Sequence, residues 1–254
     1  MHLTVVDAFT DKPFSGNPAA VAILDAFEAD DRMQAIAAEM NLSETAFVVP
    51  RHDGEYDLRW FTPTSEVKFC GHATLASAHA LGGTGAFHTH SGRLACTPGT
   101  DGWIEMDFPA LPASEAPLPS APAGLAWPRW TGVAGEDWLV EVGSAQQVID
   151  LSVDVAGIAA LGHRGMIVTA AAEPGDPYDF VSRFFAPNIG IDEDPATGSA
   201  HCALAAYWAP RLGSDEMTGY QASPRGGTVK VRVQGDRVVV AGKAVTVSEV
   251  ELVV

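Results

Sequence analysis

A chain of 254 residues has room for one large domain or two small ones, and an apolar content of 47% is enough to build real cores. Its formal charge of −17, from 15 basic against 32 acidic residues, argues against nucleic acid and anionic membranes as partners. It leaves small carboxylates open, because a helix N-terminus can hold an anion locally.

Three cysteines, Cys70, Cys96 and Cys202, are too few and too scattered for a disulfide framework. Residues 1–7 carry no basic stretch followed by an apolar one, so no signal peptide is expected. No run of about 18 apolar residues is present either, and the expectation is a soluble, cytoplasmic protein.

In chain order, Leu3 to Ala8 reads as a strand, Asp11 to Pro18 as a loop rich in turn residues, and Ala19 to Leu24 as a second strand. Asn17 in that loop is either an ordinary turn residue or a ligand-facing one. Ala29 to Met40 has helical spacing (Met33, Ile36, Ala37, Met40), with Asp30 as its expected cap and Asn41 as a left-handed end. Glu44 follows in a short connection before an apolar strand. Two readings stand: a solvated loop glutamate, or a partly desolvated carboxylate whose raised pKa suits general-base work. Tyr56 to Phe61 alternates as a strand, and Cys70-Gly71-His72-Ala73-Thr74 opens a helix continuing through Leu75 to Leu81.

The pair Cys70 and His72 lacks a second pair at ligand spacing, so no metal is expected. His88 and His90 read as a loop or strand edge without a role. Leu94 to Thr97 and Trp103 to Phe108 read as a hairpin. Pro109 to Pro128, with six prolines, reads as the linker between domains 1–112 and 113–254. Beyond it, Trp138 to Val142 and Ala145 to Ile149 read as strands, Val153 to Ala160 as a helix and Gly165 to Ala171 as a strand. Thr228 to Val233, Arg237 to Ala241 and Ala244 to Val254 close the chain as strands, the last of which could return to the first domain.

The stretch from Arg183 to Trp208 is the centre of the pattern. Asp194-Pro195 precedes the small residues Thr197-Gly198-Ser199 and an apolar helical run, with Asp194 as the expected cap and Pro195 in the first turn. Its uncrowded N–H groups suit an anion. A gapless shift of 124 positions lays the segment starting at Arg59 over it: Arg59 on Arg183, Phe61 on Phe185, Pro63 on Pro187 and Cys70 on Asp194. A repeat of half the chain implies two similar domains rather than a solenoid, whose periods run from about 20 to 50 residues. It also leads one to expect two helix N-termini at one pocket, lined by Cys70, His72, Asp194 and Ser199.

Several segments together resemble the phenazine-biosynthesis PhzF-like isomerase family. They are Val6-Asp7-Ala8-Phe9 with Gly16-Asn17-Pro18, Asn41-Leu42-Ser43-Glu44-Thr45-Ala46-Phe47, Phe61-Thr62-Pro63, Cys70-Gly71-His72-Ala73-Thr74, and Asp194-Pro195-Ala196-Thr197-Gly198-Ser199-Ala200-His201. The resemblance implies the diaminopimelate epimerase-like α+β fold, two pseudo-symmetric domains each with a curled, mostly antiparallel sheet around a central helix. It implies Glu44 as the proton-shuttling acid–base and His72 and Asp194 as polar catalytic partners. Gly71, Gly198 and Ser199 would hold substrate, with Asn17, Cys70 and Thr197 beside them. It also implies a homodimer without cofactor, acting on a small carboxylate.

The related epimerases use two opposed cysteines. Here Cys70 fits the first thiol and nothing fits the second, so a proton or double-bond shift is preferred over epimerisation by Glu44 with Cys70 or Asp194. A ligand-binding module without catalysis is the third reading.

Overall fold

The computed structural model describes residues 1–253. In chain order the elements are β1 (His2–Ala8), β2 (Asn17–Ile23), α1 (Asp30–Met40), β3 (Glu44–Pro50), β4 (Tyr56–Phe61), β5 (Glu66–Val67), α2 (Gly71–Ala80), β6 (Gly85–Thr89), β7 (Gly92–Pro98) and β8 (Ile104–Pro109). There follow β9 (Ser114–Glu115), β10 (Trp130–Ala134), β11 (Asp137–Glu141), α3 (Ala145–Ile149), α4 (Val155–Ala159), β12 (Gly165–Ala171), β13 (Phe180–Ala186) and β14 (Ile191–Asp194). The last are α5 (Gly198–Leu212), β15 (Glu216–Gln221), β16 (Gly227–Gln234), β17 (Arg237–Gly242) and β18 (Ala244–Glu251). Val254, in the expected final strand, lies outside the described residues.

The chain forms two compact units, one of Met1–Phe108 plus the residues from Ala241 onward, the other Pro109–Val240. In the first, β1 pairs antiparallel with β2, β2 parallel with β3, and β3 antiparallel with β4. β4 then pairs antiparallel with β5 and parallel with β6, and β6 antiparallel with β7. The second unit repeats this pairing by pairing with β10 to β16. In the first unit, β18 adds to the free side of β1.

Each unit is organised around one helix made almost entirely of small and apolar residues. Gly71 through Ala78 of α2 are all buried. A helix this buried tolerates hydroxyls only if they bond inward: Thr74 Oγ1 donates to the Cys70 carbonyl at 2.6 Å and Ser77 Oγ to that of Ala73 at 2.7 Å. The other flank of the first sheet carries α1, where Met33, Ile36 and Ala37 join Leu3, Ala20, Ala22 and Phe47 in a second core. In the second unit Trp138, Val140, Val148, Ile158, Met166 and Phe185 form the corresponding core under α3 and α4.

Several expectations need correction. Asp30 is not the cap of α1: Ala29 holds that position without a side-chain bond, and Asp30 instead accepts from Arg59 at 2.8 Å. Asn41 is left-handed, as expected, at φ 50. Residues 145–149 are a helix, not a strand. Ser144 accepts from the Gln147 N–H, and Ala145 and Val148, three apart, turn inward. The proline-rich stretch is no free linker: β9 pairs with β10, and Leu118 and Leu125 pack on the second core.

Asp194 ends β14, and α5 starts only at Gly198, with Thr197 as its N-cap residue. Pro195 therefore lies before the helix.

That late start reveals an offset. The strand arginines Arg59 and Arg183 differ by 124 positions. Each grips a glutamate through two nitrogens, Glu66 in one unit and Glu193 in the other. Each also lies over the ring two residues on, Phe61 at 5.2 Å and Phe185 at 5.1 Å. The glutamates are 127 apart, as are the N-cap residues Cys70 and Thr197. The second copy therefore carries three extra residues between strand and helix, and Cys70 corresponds to Thr197, not to Asp194.

Candidate functional site

In the first unit Glu44 heads β3, paired in parallel with Ala19 of β2. It is a strand residue at 6% exposure rather than a loop residue. Beside it is the start of α2, which packs on β1, β2 and β3. His72 Nε2 stands 2.9 Å from Glu44 Oε2. No donor reaches that oxygen in good hydrogen-bond alignment, so the contact is chiefly ionic. On the other side of the ring, His72 Nδ1 lies 3.1 Å from Asn17 Nδ2 and 3.5 Å from Cys70 Sγ. Three residues, from β2, β3 and the α2 start, thus meet around one imidazole.

Burial opposes charge on His72, but Cys70 and Glu44 outweigh it and raise its pKa well above the ordinary value. Burial, reinforced by the Glu44 charge and opposed by His72, pushes the Cys70 thiol up to about 11. At neutral pH Cys70 is therefore a thiol, and Glu44 is the second neighbour that favours charge on His72. A charged ring carries hydrogen on both nitrogens, which calls for the Asn17 amide oxygen at Nδ1. A neutral ring accepts from the amide nitrogen there instead.

The second unit presents a different arrangement. Asp194 accepts from the Thr197 hydroxyl. Gln221, the last residue of β15, ties them together: its Nε2 donates to the Asp194 carbonyl at 2.7 Å and its Oε1 accepts from Thr197 N–H at 2.8 Å. The Thr197 N–H is thus engaged within the protein, which removes it from the expected anion cradle. Gly198 and Ser199 keep N–H groups in a first turn that no side chain caps. Arg164 reaches Ser199 Oγ at 3.3 Å while holding Asp137 with two nitrogens. His201, one turn into α5, is wholly buried and donates from Nδ1 to the Thr197 carbonyl at 2.8 Å.

Strand register shows what the second copy lacks. Glu44 lies three residues before Phe47, the partner of Arg59. Gly165 lies three before Val168, the partner of Arg183. Gly165 thus occupies the position of Glu44, and the carboxylate has no counterpart.

Gln221 and Arg164 escaped the sequence reading. Only the alternation Met217, Gly219, Gln221, with a polar residue on a buried face, signals Gln221. His88, given no role, joins Glu55 and Arg93 in a surface ion cluster. Two groups of side chains have metal-ligating atoms close together, Glu44/Cys70/His72 and Asp53/Glu55/His88. In the second, Arg93 already occupies both oxygens of Glu55.

Two matched α+β units, one with a buried contact between Glu44 at the head of β3 and His72 at the start of its central helix, have the architecture of the epimerase-like fold. Residues 6–250 match the family described as phenazine biosynthesis-like protein, and the chain belongs to it. It is 46% identical, over 98% of its length and 97% of the relative's, to an uncharacterized isomerase of Halalkalibacterium halodurans. It is 37% identical, over 98% of both, to the human phenazine biosynthesis-like domain-containing protein.

Among solved structures, a PhzF-family protein of Enterococcus faecalis aligns with a TM-score of 0.92 at 39% identity, covering 98% of this chain and 97% of that one. A hydroxyproline epimerase of Agrobacterium vitis shares the fold at a TM-score of 0.63 and 12% identity, covering 98% and 91%. The chain is an isomerase-family protein with the epimerase-like α+β fold. No helix among the described residues is long and apolar enough to cross a membrane.

Proposed function

We propose that the protein is a cofactor-independent isomerase that moves a proton, and with it a double bond, within a small carboxylate. The observation that carries this reading is the buried contact of Glu44 with His72 at 2.9 Å. A carboxylate held against an imidazole is placed to accept a proton from carbon. Its burial at the head of a strand keeps water away from the proton being moved. Glu44 takes the proton from carbon, and His72 steadies the charge that develops as the proton leaves. The α2 start supplies N–H groups at Gly71 and His72 for a carboxylate. Gly198 and Ser199 offer the same chemistry in the second unit, with Asp194 as a polar partner.

Epimerisation by two thiols fits less well. The residue corresponding to Cys70 is Thr197, whose hydroxyl is bonded to Asp194, and the counterpart of Glu44 is Gly165. A ligand-binding module has no use for a buried, ion-paired base. Family resemblance adds the expectation of a homodimer.

The test is carbon-bound hydrogen exchange in D2O, followed by proton NMR across small unsaturated and cyclic carboxylates. Wild type exchanges at least one of them, and Glu44→Gln, nearly isosteric but unable to accept a proton, loses roughly 10²–10⁴-fold or more. Retained exchange in Glu44→Gln refutes the assignment.

A further inference from the structure

We propose that Cys70 is the proton donor that complements Glu44, its thiol coupled to that carboxylate through the His72 imidazole. The inference rests on the reading of Glu44 as a base and adds a second proton-transferring group to the same unit.

The three cysteines are all buried, but in different surroundings. Cys96 has burial alone acting on it. Cys202 donates to the Gly198 carbonyl one turn back, the ordinary resting place of a helical thiol. Cys70 is the N-cap residue of α2, with both ring nitrogens of His72 within 4.0 Å of its sulfur. The Ala73 N–H acts on the same sulfur. Imidazolium, backbone N–H and helix start all favour negative charge on that atom once its proton has gone. Before then, burial and the Glu44 charge keep the thiol protonated. A thiol and a carboxylate that both meet the one His72 ring, at 3.5 Å and 2.9 Å, are placed to work as an acid–base pair. Glu44 from β3 and His72 from α2 are the titratable groups acting on Cys70, and Asn17 from β2 touches His72.

The protons balance. A substrate C–H bond breaks as Glu44 O–H forms, and Cys70 S–H breaks as a new C–H forms at the second carbon. The thiolate then takes the Nδ1 proton of His72. Water finally accepts the Glu44 proton and restores the one on His72, for no net change.

The S–H stretch of Cys70, isolated as the infrared difference between wild type and Cys70→Ala, tests this without any substrate. At neutral pH the band is present. In wild type it fades as the thiol ionises, near the pH of about 11 to which it is held. Glu44→Gln removes both the charge that opposes the thiolate and a contact that favours the imidazolium, so the fading leaves its wild-type pH. His72→Asn removes a cation that favours it, so the fading moves to higher pH or out of range.

Exchange of S–H for S–D near neutral pH gives a second readout, expected to be faster at Cys70 than at Cys96 and Cys202. A band that neither substitution moves, or exchange no faster than at the two packing cysteines, overturns the proposal. Neither result bears on whether Glu44 exchanges carbon-bound hydrogen, so the two ideas fail separately.

Discussion

Acid should undermine this protein through His201. The ring is fully buried, its Nδ1–H is committed to the Thr197 carbonyl, and Nε2 has no partner among the described residues. Phe180 packs on it with ring centres 5.9 Å apart. A second N–H would have no acceptor. Burial, only partly opposed by the Thr197 carbonyl, therefore lowers the pKa from 6.5 to about 4.

The folded form thus stays neutral while the unfolded chain takes up a proton. The stabilisation is complete above about pH 6.5, declines as pH falls, and is gone near pH 4. That gap of roughly 2.5 pH units, at about 1.36 kcal/mol per unit, comes to about 3 kcal/mol. Domains are typically stable by about 5–15 kcal/mol in total, so the loss is a large share.

Urea unfolding of wild type and His201→Leu at matched pH isolates the effect, because every other titrating group is common to both. The variant should be less stable near pH 7, having lost the bond to Thr197. Between about pH 7 and pH 5 the gap should narrow by about 2 kcal/mol as wild type loses its advantage. Parallel stability profiles would refute the assignment of a neutral, buried His201.

Three further outcomes follow from the site. In Glu44→Gln the loss of carbon-bound exchange should leave the thermal unfolding profile cooperative and the circular dichroism unchanged, which separates chemistry from folding. The imidazole resonances of His72 should titrate well above 6.5 in wild type. In Glu44→Gln burial is left with less opposition, and the midpoint should fall; an unmoved midpoint means the 2.9 Å contact carries no charge. Gly198→Val should crowd the first turn of α5 and weaken binding of small carboxylates in calorimetry, with unchanged affinity placing the anion elsewhere.

Much of the first unit can be read from sequence because its local signals agree with its packing. The alternation in Tyr56 to Phe61, the helical spacing of Met33, Ile36 and Ala37, and the small-residue opening of α2 each point to one structure. The second unit is harder. Ala145 to Ile149 is too short for periodicity to separate strand from helix, and the cap at Ser144 decides it. Six prolines between residues 109 and 128 look like a tether, yet Leu118 and Leu125 give that segment a core to join. Three inserted residues hide the true partners of Cys70 and Glu66 from a gapless comparison. Glu44 could be suspected but not resolved, because its burial depends on a helix beginning 27 positions later at Gly71.

The addition of β18 to β1 bears on how the molecule comes into being. On the ribosome the second unit is uninterrupted, and all its strands are available before β18 is made. The first unit, although synthesised earlier, must wait. Until 244–251 emerges, one side of β1 is an unpaired strand edge. The Met1 amino group likewise lacks the Leu252 carbonyl that later sits 2.7 Å away. Order of synthesis and order of completion are reversed, and the half carrying Glu44, Cys70 and His72 is the last to close.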